Sequence, residues 1–156
     1  MRRINKKSEG EFEQSILDIA RVTRVVAGGK RLSFRATVAI GLKSGHRIGV
    51  GIGKGRDVSQ AIEKAVNDAK KNLIEVPIIN GTIPFEVSAK YQAAHILLKP
   101  AKKGKGIIAG GSIRSLLKLA NISDVTGKIL GQTSNAINNS QATLSALKKL
   151  NLIKEE

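Results

Sequence analysis

Apolar and polar residues alternate along the segment that begins at Leu32, which predicts a β-strand with one set of side chains on each face. The apolar set is Leu32, Phe34, Ala36, Val38 and Ile40, and the other set is Ser33, Arg35, Thr37 and Ala39. We therefore expect a half-buried strand. A β-branched segment ending at Val26 precedes it, and residues 27–31 join the two, which predicts a hairpin with a basic tip. The pattern over residues 12–20 fits helix and strand equally.

A third strand, residues 47–54, has glycine at every second position. Ile48, Val50 and Ile52 form its apolar face, and the other face carries only Gly49, Gly51 and Gly53. Such a bare face lets another backbone approach closely, and a packing helix and an RNA strand fit it equally well. The glycine spacing matches neither a dinucleotide-binding fingerprint nor a P-loop.

A helix follows this strand. Asp57 is its predicted N-cap, with Gln60 three residues later. Its apolar positions recur at helical spacing and are Val58, Ala61, Ile62, Ala65, Val66, Ala69 and Leu73. Lys54 and Arg56 immediately precede it, where helix N–H groups and the dipole favour a phosphate; a simple capped helix explains the same residues. The first unit is therefore predicted to be βββα.

The second unit begins after the turn signal Asn80-Gly81, which lies between Pro77 and Pro84. Its pattern predicts two strands, a helix capped by Ser112, a strand near residues 125–130 and a final helix, or ββαβα. We expect an α+β protein of two small domains. The predicted divisions are a flexible basic extension (1–10), a first domain (11–76), a linker (77–82) and a second domain (83–156).

Charge is concentrated in two windows. The 156 residues include 27 Lys or Arg and 12 Asp or Glu, a formal net charge of +15. No acid occurs between Asp18 and Asp57 or between Glu86 and Asp124, and the charges outside these windows nearly cancel. The bases inside them are Arg21, Arg24, Lys30, Arg31, Arg35, Lys43, Arg47, Lys54, Arg56, Lys90, Lys99, Lys102, Lys103, Lys105, Arg114 and Lys118. Such blocks create a positive potential that attracts a polyanion, whereas an ordinary solvated surface intersperses both signs.

Structured RNA is the polyanion that the composition favours. The four aromatic residues, Phe12, Phe34, Phe85 and Tyr91, form no clustered pair for stacking bases. A basic amphipathic helix for a membrane surface is also missing. With no Cys and only two His, we expect no metal and no cofactor. The basic windows hold no carboxylate for general-base or Mg²⁺ chemistry, so we expect a binding protein in the cytoplasm, without catalytic residues or a small-molecule substrate.

A series of motifs resembles bacterial-type small-subunit ribosomal protein S5 from about residue 11 to 150. In the first half the motifs are Gly28-Gly29-Lys30-Arg31-x-Ser33-Phe34-x-Ala36, Gly41 through Lys54, Ala61-Ile62-x-Lys64-Ala65 and Lys70-Lys71-Asn72. In the second half they are Asn80-Gly81-Thr82, Pro100-Ala101, Gly104, Gly106 through Gly111, Arg114, Asn135 and Asn138. Lys118 and Asn121 depart from the pattern, which usually has Glu and Gly there. Several ordered motifs in series are more specific than any one glycine pattern.

The resemblance implies a first domain similar to a double-stranded-RNA-binding fold and a second with a left-handed β-α-β crossover. It implies binding to small-subunit rRNA, stabilisation of the subunit head against its body, and a contribution to decoding accuracy with S4 and S12. The hairpin tip would reach rRNA of the head near the spectinomycin site. Proteins S4 and S8 would be neighbours of the second domain, with S3 near the start of the mRNA channel.

The charge windows and the resemblance together give two sets of candidate residues. The predicted RNA-binding residues are Arg21, Arg24, Gly28, Gly29, Lys30, Arg31, Arg35, Arg47, Gly51, Gly53, Lys54, Arg56, Lys70, Lys71, Lys102, Lys103 and Lys105. The predicted protein-interface residues are Gly104, Gly106, Ile107, Ile108, Gly110, Gly111 and Arg114. Two alternatives stay open: a nucleotide-using enzyme built on the glycine strand and Lys54, and a free RNA chaperone or maturation factor of the same fold.

Overall fold

A computed structural model describes residues 11–152, so the basic extension predicted over residues 1–10 lies outside the described residues. Residues 11–152 form two four-stranded sheets and three helices, which confirms the α+β class. The first half contains β1 (Phe12–Val26), β2 (Gly29–Leu42), β3 (Arg47–Gly55), α1 (Val58–Lys71) and β4 (Ile74–Glu75). The second half contains β5 (Val87–Tyr91), β6 (Ala94–Pro100), β7 (Ile107–Ile108), α2 (Gly111–Leu119), β8 (Val125–Ile129) and α3 (Ala136–Leu152). Strands β4 and β7 were not predicted because two residues are too few to show a period.

The first sheet has the strand order β1-β2-β3-β4, and all its neighbours are antiparallel. The ambiguous residues 12–20 are part of β1. Val26 pairs with Gly29, so the chain reverses at Ala27-Gly28 and the predicted hairpin is confirmed. Lys30 and Arg31, predicted in the tip, are the second and third residues of β2 and pair with Val25 and Arg24.

Helix α1 covers the glycine face of β3. Its buried residues Ala61, Ala65 and Ala69 recur every four positions and form a smooth stripe. A Cβ at Gly51 would lie 2.1 Å from the Ala65 carbonyl oxygen, and one at Gly53 would lie 2.2 Å from that of Ala61. Both glycines are buried beneath the helix. The prediction that Gly51 and Gly53 bind RNA is therefore wrong, because the helix backbone occupies the space that RNA would need.

The half-buried strand predicted from Leu32 is wrong over its second part, because both faces of β2 are buried there. Val38 and Ile40 face α1, as expected. On the opposite face Thr37, Ala39 and Gly41 are also buried. A Cβ at Gly41 would lie 2.3 Å from the carbonyl oxygen of Leu119 in α2. The second half of the chain thus covers the face that a single domain would leave to solvent.

One hydrophobic core therefore joins the two halves. Ala39, Ile48 and Val50 of the first sheet belong to the same buried cluster as Ile96 and Leu147 of the second half. A separate cluster lies between β2 and α1. The halves are consequently held in a fixed relative position by apolar packing.

The predicted helix starts are correct to within two residues, but their capping differs. Asp57 is at the N-cap position of α1, yet its side chain makes no capping hydrogen bond; its backbone oxygen accepts one from the N–H of Ala61 at 3.1 Å. Helix α2 begins earlier than predicted, with Gly110 as its N-cap. Ser112 lies inside the first turn and is not the cap.

The second sheet has the order β5-β6-β8-β7. Its first three strands are antiparallel, whereas β7 and β8 are parallel neighbours joined through α2, which gives the β-α-β unit that the resemblance implies. Helices α2 and α3 pack on one face of this sheet, against Ile96, Leu98 and Val125. No helix within residues 11–152 is long and apolar enough to cross a membrane.

The segment predicted as a linker is a tight, anchored turn. The N–H of Ile79 donates to the Thr82 oxygen at 2.9 Å, and the N–H of Thr82 donates back at 3.0 Å. Between them Asn80 and Gly81 have positive φ, at 53° and 82°. The Gly81 oxygen accepts hydrogen bonds from the N–H groups of residues 123 and 124. This turn is therefore part of the second half's packed structure.

Candidate nucleic-acid interface

A groove with basic walls lies on the first sheet, on the face opposite α1. We call it the basic groove, and its lining residues are Val22, Thr23, Arg24, Arg31, Ser33 and Lys54. In β2, Arg31 and Ser33 alternate with Leu32 and Phe34, and Phe34 packs toward α1. The alternation of a β-strand therefore directs the basic side chains away from the helix.

Like charges face each other across the strands of this groove. Arg24 is the direct partner of Arg31 across β1 and β2. Lys54 is the partner of Arg35 across β2 and β3, but Arg35 also lies 3.6 Å from Asp18, which partly balances its charge. Like charges in directly opposed positions destabilise a sheet. A phosphate placed between such a pair would relieve the repulsion and gain two charge-assisted contacts. The groove is thus arranged for an anion at a small cost to the free protein.

The hairpin tip extends beyond the groove and is fully exposed. Lys30 and Val25, paired across the hairpin, are both exposed, and Val25 has 75% of its surface accessible. Gly29 has a φ of +139°, which restricts that position to glycine. Gly28 has no such constraint, and a Cβ there would meet no atom within 4 Å. The tip holds no core residue and presents backbone and positive charge to a partner.

Three of the predicted RNA-binding cations have partners within the chain. Arg35 is half-buried and lies 3.6 Å from the carboxylate of Asp18. Arg47 pairs across strands with Glu75, with a distance of 3.3 Å between Nη2 and Oε2. Lys70 lies over the Phe12 ring, 5.8 Å from its centroid. The charges of Arg35 and Arg47 are partly balanced by carboxylates before any ligand binds, and the ammonium group of Lys70 is attracted to a neutral aromatic ring. By contrast, the other predicted cations of the first half are exposed: Arg21, Arg24, Lys30, Arg31, Lys54, Arg56 and Lys71.

A second basic surface is the loop of residues 101–106, which carries the exposed side chains of Lys102, Lys103 and Lys105. The buried carboxylate of Asp124 accepts a hydrogen bond from the Gly106 N–H at 2.7 Å. The Ala101 N–H donates to the Thr82 hydroxyl at 3.3 Å. Both ends of the loop are therefore fixed while its lysines point to solvent.

The predicted protein-interface residues continue from this loop into α2. Gly104, Gly106 and Gly111 have positive φ, at 87°, 73° and 37°, which accounts for glycine at each. Gly110 has an ordinary φ of −89°, and a Cβ there would meet nothing within 4 Å. Ile108 is 46% exposed, whereas Ile107 packs against the core. The segment thus offers a bare backbone and one exposed apolar side chain.

Arg114 stabilises this segment from α2. Its Nη2 donates to the Ile107 oxygen at 3.3 Å. The side chain is exposed, so it also remains open to a partner. No cluster of metal-ligating side chains is found among residues 11–152.

Sequence reasoning missed Ser33 as a groove residue. Its side chain lies on the same face of β2 as Arg31 and Arg35, and its hydroxyl is suited to phosphate oxygens. The alternation of Arg31, Ser33 and Arg35 along β2 contained the signal, because residues two apart share a face. The partner strand was harder to place, since its register depends on where the hairpin turns.

Comparison with known proteins identifies the family. The family model described as "Ribosomal protein S5, N-terminal domain" matches residues 12–77, and that described as "Ribosomal protein S5, C-terminal domain" matches residues 89–156. The chain is 52% identical over 140 residues to small ribosomal subunit protein uS5 of Thermotoga neapolitana, covering 90% of this chain and 78% of the relative.

Two further relatives carry the same name. The uS5 protein of Mycoplasma mobile is 53% identical over 147 residues, covering 94% of this chain and 60% of the relative. The uS5 protein of Persephonella marina is 46% identical over 140 residues, covering 90% of this chain and 72% of the relative. The chain therefore belongs to the ribosomal protein S5 family, whose members are structural proteins of the small ribosomal subunit and not enzymes.

Proposed function

We propose that this protein binds small-subunit rRNA through basic surfaces on both halves and stabilises the head of the subunit relative to its body. The observation that carries the proposal is the basic groove, in which the exposed Arg24 and Arg31 are direct cross-strand partners and Lys54 also lines the walls. The free protein tolerates this like-charged pair, and RNA phosphates would neutralise it. The protein would act in the cytoplasm, as part of the small subunit.

In this proposal the hairpin tip and the loop of residues 101–106 bind different regions of the rRNA. The exposed hairpin tip, with Gly28, Lys30 and Arg31, reaches rRNA of the head, while the loop of residues 101–106 contacts a second rRNA region. The common core fixes the distance between the two. A bridge needs such rigidity, because a flexible connection would let the contacted RNA regions move independently.

The bare segment from Gly104 to Gly111 contacts protein S4 in this proposal. Its open backbone and the exposed Ile108 support a protein contact, because neither is required for packing within the chain. Protein S8 is the second neighbour of this half, and S3 lies near the mRNA channel. Contacts to S4 and S12 would connect the protein to decoding accuracy.

Salt dependence of binding tests the RNA contact. If about 6–10 phosphates are neutralised, affinity for small-subunit rRNA falls by roughly 10³–10⁵ between 50 and 200 mM salt. Replacing Lys30 and Arg31 by Ala should lower affinity without changing thermal stability, because both side chains are exposed. A nearly flat salt response would contradict rRNA binding, and a large loss of stability would contradict a free hairpin tip.

A free RNA chaperone or maturation factor is the alternative function. It would use the same basic surfaces, so affinity for RNA does not separate the two. Gradient sedimentation of a cell lysate does: stoichiometric recovery with small subunits supports the proposal, and a mainly ribosome-free pool favours the alternative.

A further inference from the structure

The second sheet has one face that no helix of the described chain covers. Helices α2 and α3 pack on the other face. Side chains alternate along each strand, so Lys90 of β5, His95, Leu97 and Lys99 of β6, and Lys128 of β8 share the uncovered face. We call this surface the open sheet face. Within the described chain it is a flat sheet surface without a partner.

The register places one basic side chain of this face on each of the two strands that flank β6. Lys90 is the direct partner of His95, and Leu97 is the direct partner of Lys128. Neighbouring strands lie about 4.8 Å apart, so these groups form a continuous strip across three strands. Both Lys90 and Lys128 are exposed.

Negative charge is almost absent from this strip. Strands β5, β6, β7 and β8 contain no acidic residue. Two carboxylates adjoin these strands in the chain order. Glu86, immediately before β5, lies 3.1 Å from Lys99. Asp124, immediately before β8, is buried and accepts a hydrogen bond from the Gly106 N–H. The charge of Lys90 and Lys128 therefore has no counterpart on these strands.

We propose that the open sheet face is a further RNA-binding surface, on which the sugar-phosphate backbone of an RNA segment lies across β5, β6 and β8. This inference rests on the proposed function and adds a surface that the predicted residues did not include. Lys90, Lys99 and Lys128 contact phosphates, and Leu97 packs against sugars between them. The face holds no aromatic platform, so recognition is by backbone and not by base sequence.

A protein partner fits the face less well than RNA does. Lysine is depleted in protein-protein interfaces, where burial of its ammonium is costly. Here Lys128 is the direct partner of the half-buried Leu97 and Lys90 lies diagonal to it on the other neighbouring strand, so the lysines are not confined to one rim. A phosphate backbone accepts such a distribution, because each lysine meets its own anion and releases counterions.

The test compares two double variants of the full chain that remove equal charge. Lys90→Gln with Lys128→Gln alters the open sheet face. The control, Lys64→Gln with Lys148→Gln, alters two exposed lysines on α1 and α3. Affinity for transcribed small-subunit rRNA is measured at several salt concentrations, together with thermal unfolding. We expect the slope of log affinity against log salt to fall by about two for the sheet variant and to change by less than one for the control.

The outcomes separate this inference from the proposed function. If the sheet variant retains the natural slope while the Lys30→Ala, Arg31→Ala variant loses slope, the open sheet face is not an RNA surface and the proposed function stands. If neither variant changes the salt slope, both this inference and the proposed function are contradicted. A photocrosslinking residue in place of the exposed Ser88, which is the direct partner of Leu97 on the open sheet face, in assembled small subunits, adds an independent result. Crosslinks to rRNA support the inference, and crosslinks to protein alone overturn it.

Discussion

The side-chain amide of Asn121 donates a hydrogen bond to the backbone oxygen of Gly45, at 2.8 Å across 76 residues of sequence. The same amide lies 3.2 Å from the Leu42 oxygen and 3.4 Å from that of Lys43. Asn121 follows α2 in a left-handed conformation, with a φ of 57°. It therefore joins the second half of the chain to the turn between β2 and β3.

We predict that Asn121→Gly lowers the free energy of unfolding by about 1 kcal/mol, since it removes hydrogen bonds between solvent-accessible groups. Glycine keeps the left-handed backbone without strain. Asn80→Gly is the matched control, because Asn80 has a similar φ of 53° in the 79–82 turn. Urea denaturation of the two variants measures the difference. Equal stability of both variants would show that the Asn121 amide does not hold the halves together.

Gly51→Ala should destabilise the fold by about 3 kcal/mol or more, because a methyl group there would overlap the backbone of α1. The backbone carbonyl of Ala65 cannot move aside as a flexible side chain would. Denaturant unfolding measures the loss, and Gly28→Ala serves as the control with open space around it. A Gly51→Ala variant as stable as the natural chain would refute close packing between β3 and α1.

Gly110→Ala should lower the free energy of unfolding by no more than about 1 kcal/mol. The added methyl group meets no atom of the chain, so the cost comes from alanine being a poorer N-cap for α2 than glycine. In the proposed function this position faces a protein partner. We therefore expect a fold that remains intact at the reconstitution temperature, with only a small shift in thermal unfolding, but weaker co-assembly with S4 during reconstitution of small subunits on rRNA. Unchanged co-assembly would show that Gly110 is not part of the protein interface.

Arg24→Gln should weaken rRNA binding while leaving the free protein as stable as before or more stable by a few tenths of a kcal/mol. The reason is that the change removes one charge of the opposed pair Arg24 and Arg31. The salt slope should fall by about one. Arg47→Gln is the comparison, because Glu75 already balances Arg47, and its effect on affinity should be smaller. Equal losses of affinity in the two variants would contradict a specific role for the groove.

Local patterns predicted the elements of this fold well. The alternation from Leu32 correctly placed Phe34, Val38 and Ile40 on one face that packs within the chain, and the helix that covers this face, α1, belongs to the same unit. The same pattern could not show that Thr37 and Ala39 are buried too. Their cover comes from α2, about 80 residues later in the chain, and periodicity holds no information about packing at that separation.

The sequence predicted only part of the candidate site, because the rest depends on contacts between distant elements of the chain. Charge windows pointed to the exposed Lys30 and Arg31, since neither contacts a distant element. From the sequence alone, the glycine face of β3 was compatible with contact to RNA and with contact to a helix. In the structure α1 packs on this face, because its stripe of alanines lets the helix backbone approach closely. In the sequence, Asn121 could be identified only as a departure from the family pattern, which usually has Gly at this position. Its role depends on carbonyl groups in a turn of the other half.

The central claim, that both halves contact rRNA at once, is most directly tested by RNA cleavage from tethered iron. The chain has no Cys, so Ala27→Cys and Lys103→Cys each provide one attachment point. The first is in the hairpin turn and the second in the loop of residues 101–106. Small subunits assembled with each labelled variant are exposed to hydroxyl-radical conditions, and the natural chain treated with the same reagent is the control. We predict localised rRNA cleavage from both positions, at two different sets of nucleotides. Cleavage from only one position, or from neither, in fully assembled subunits would contradict the claim.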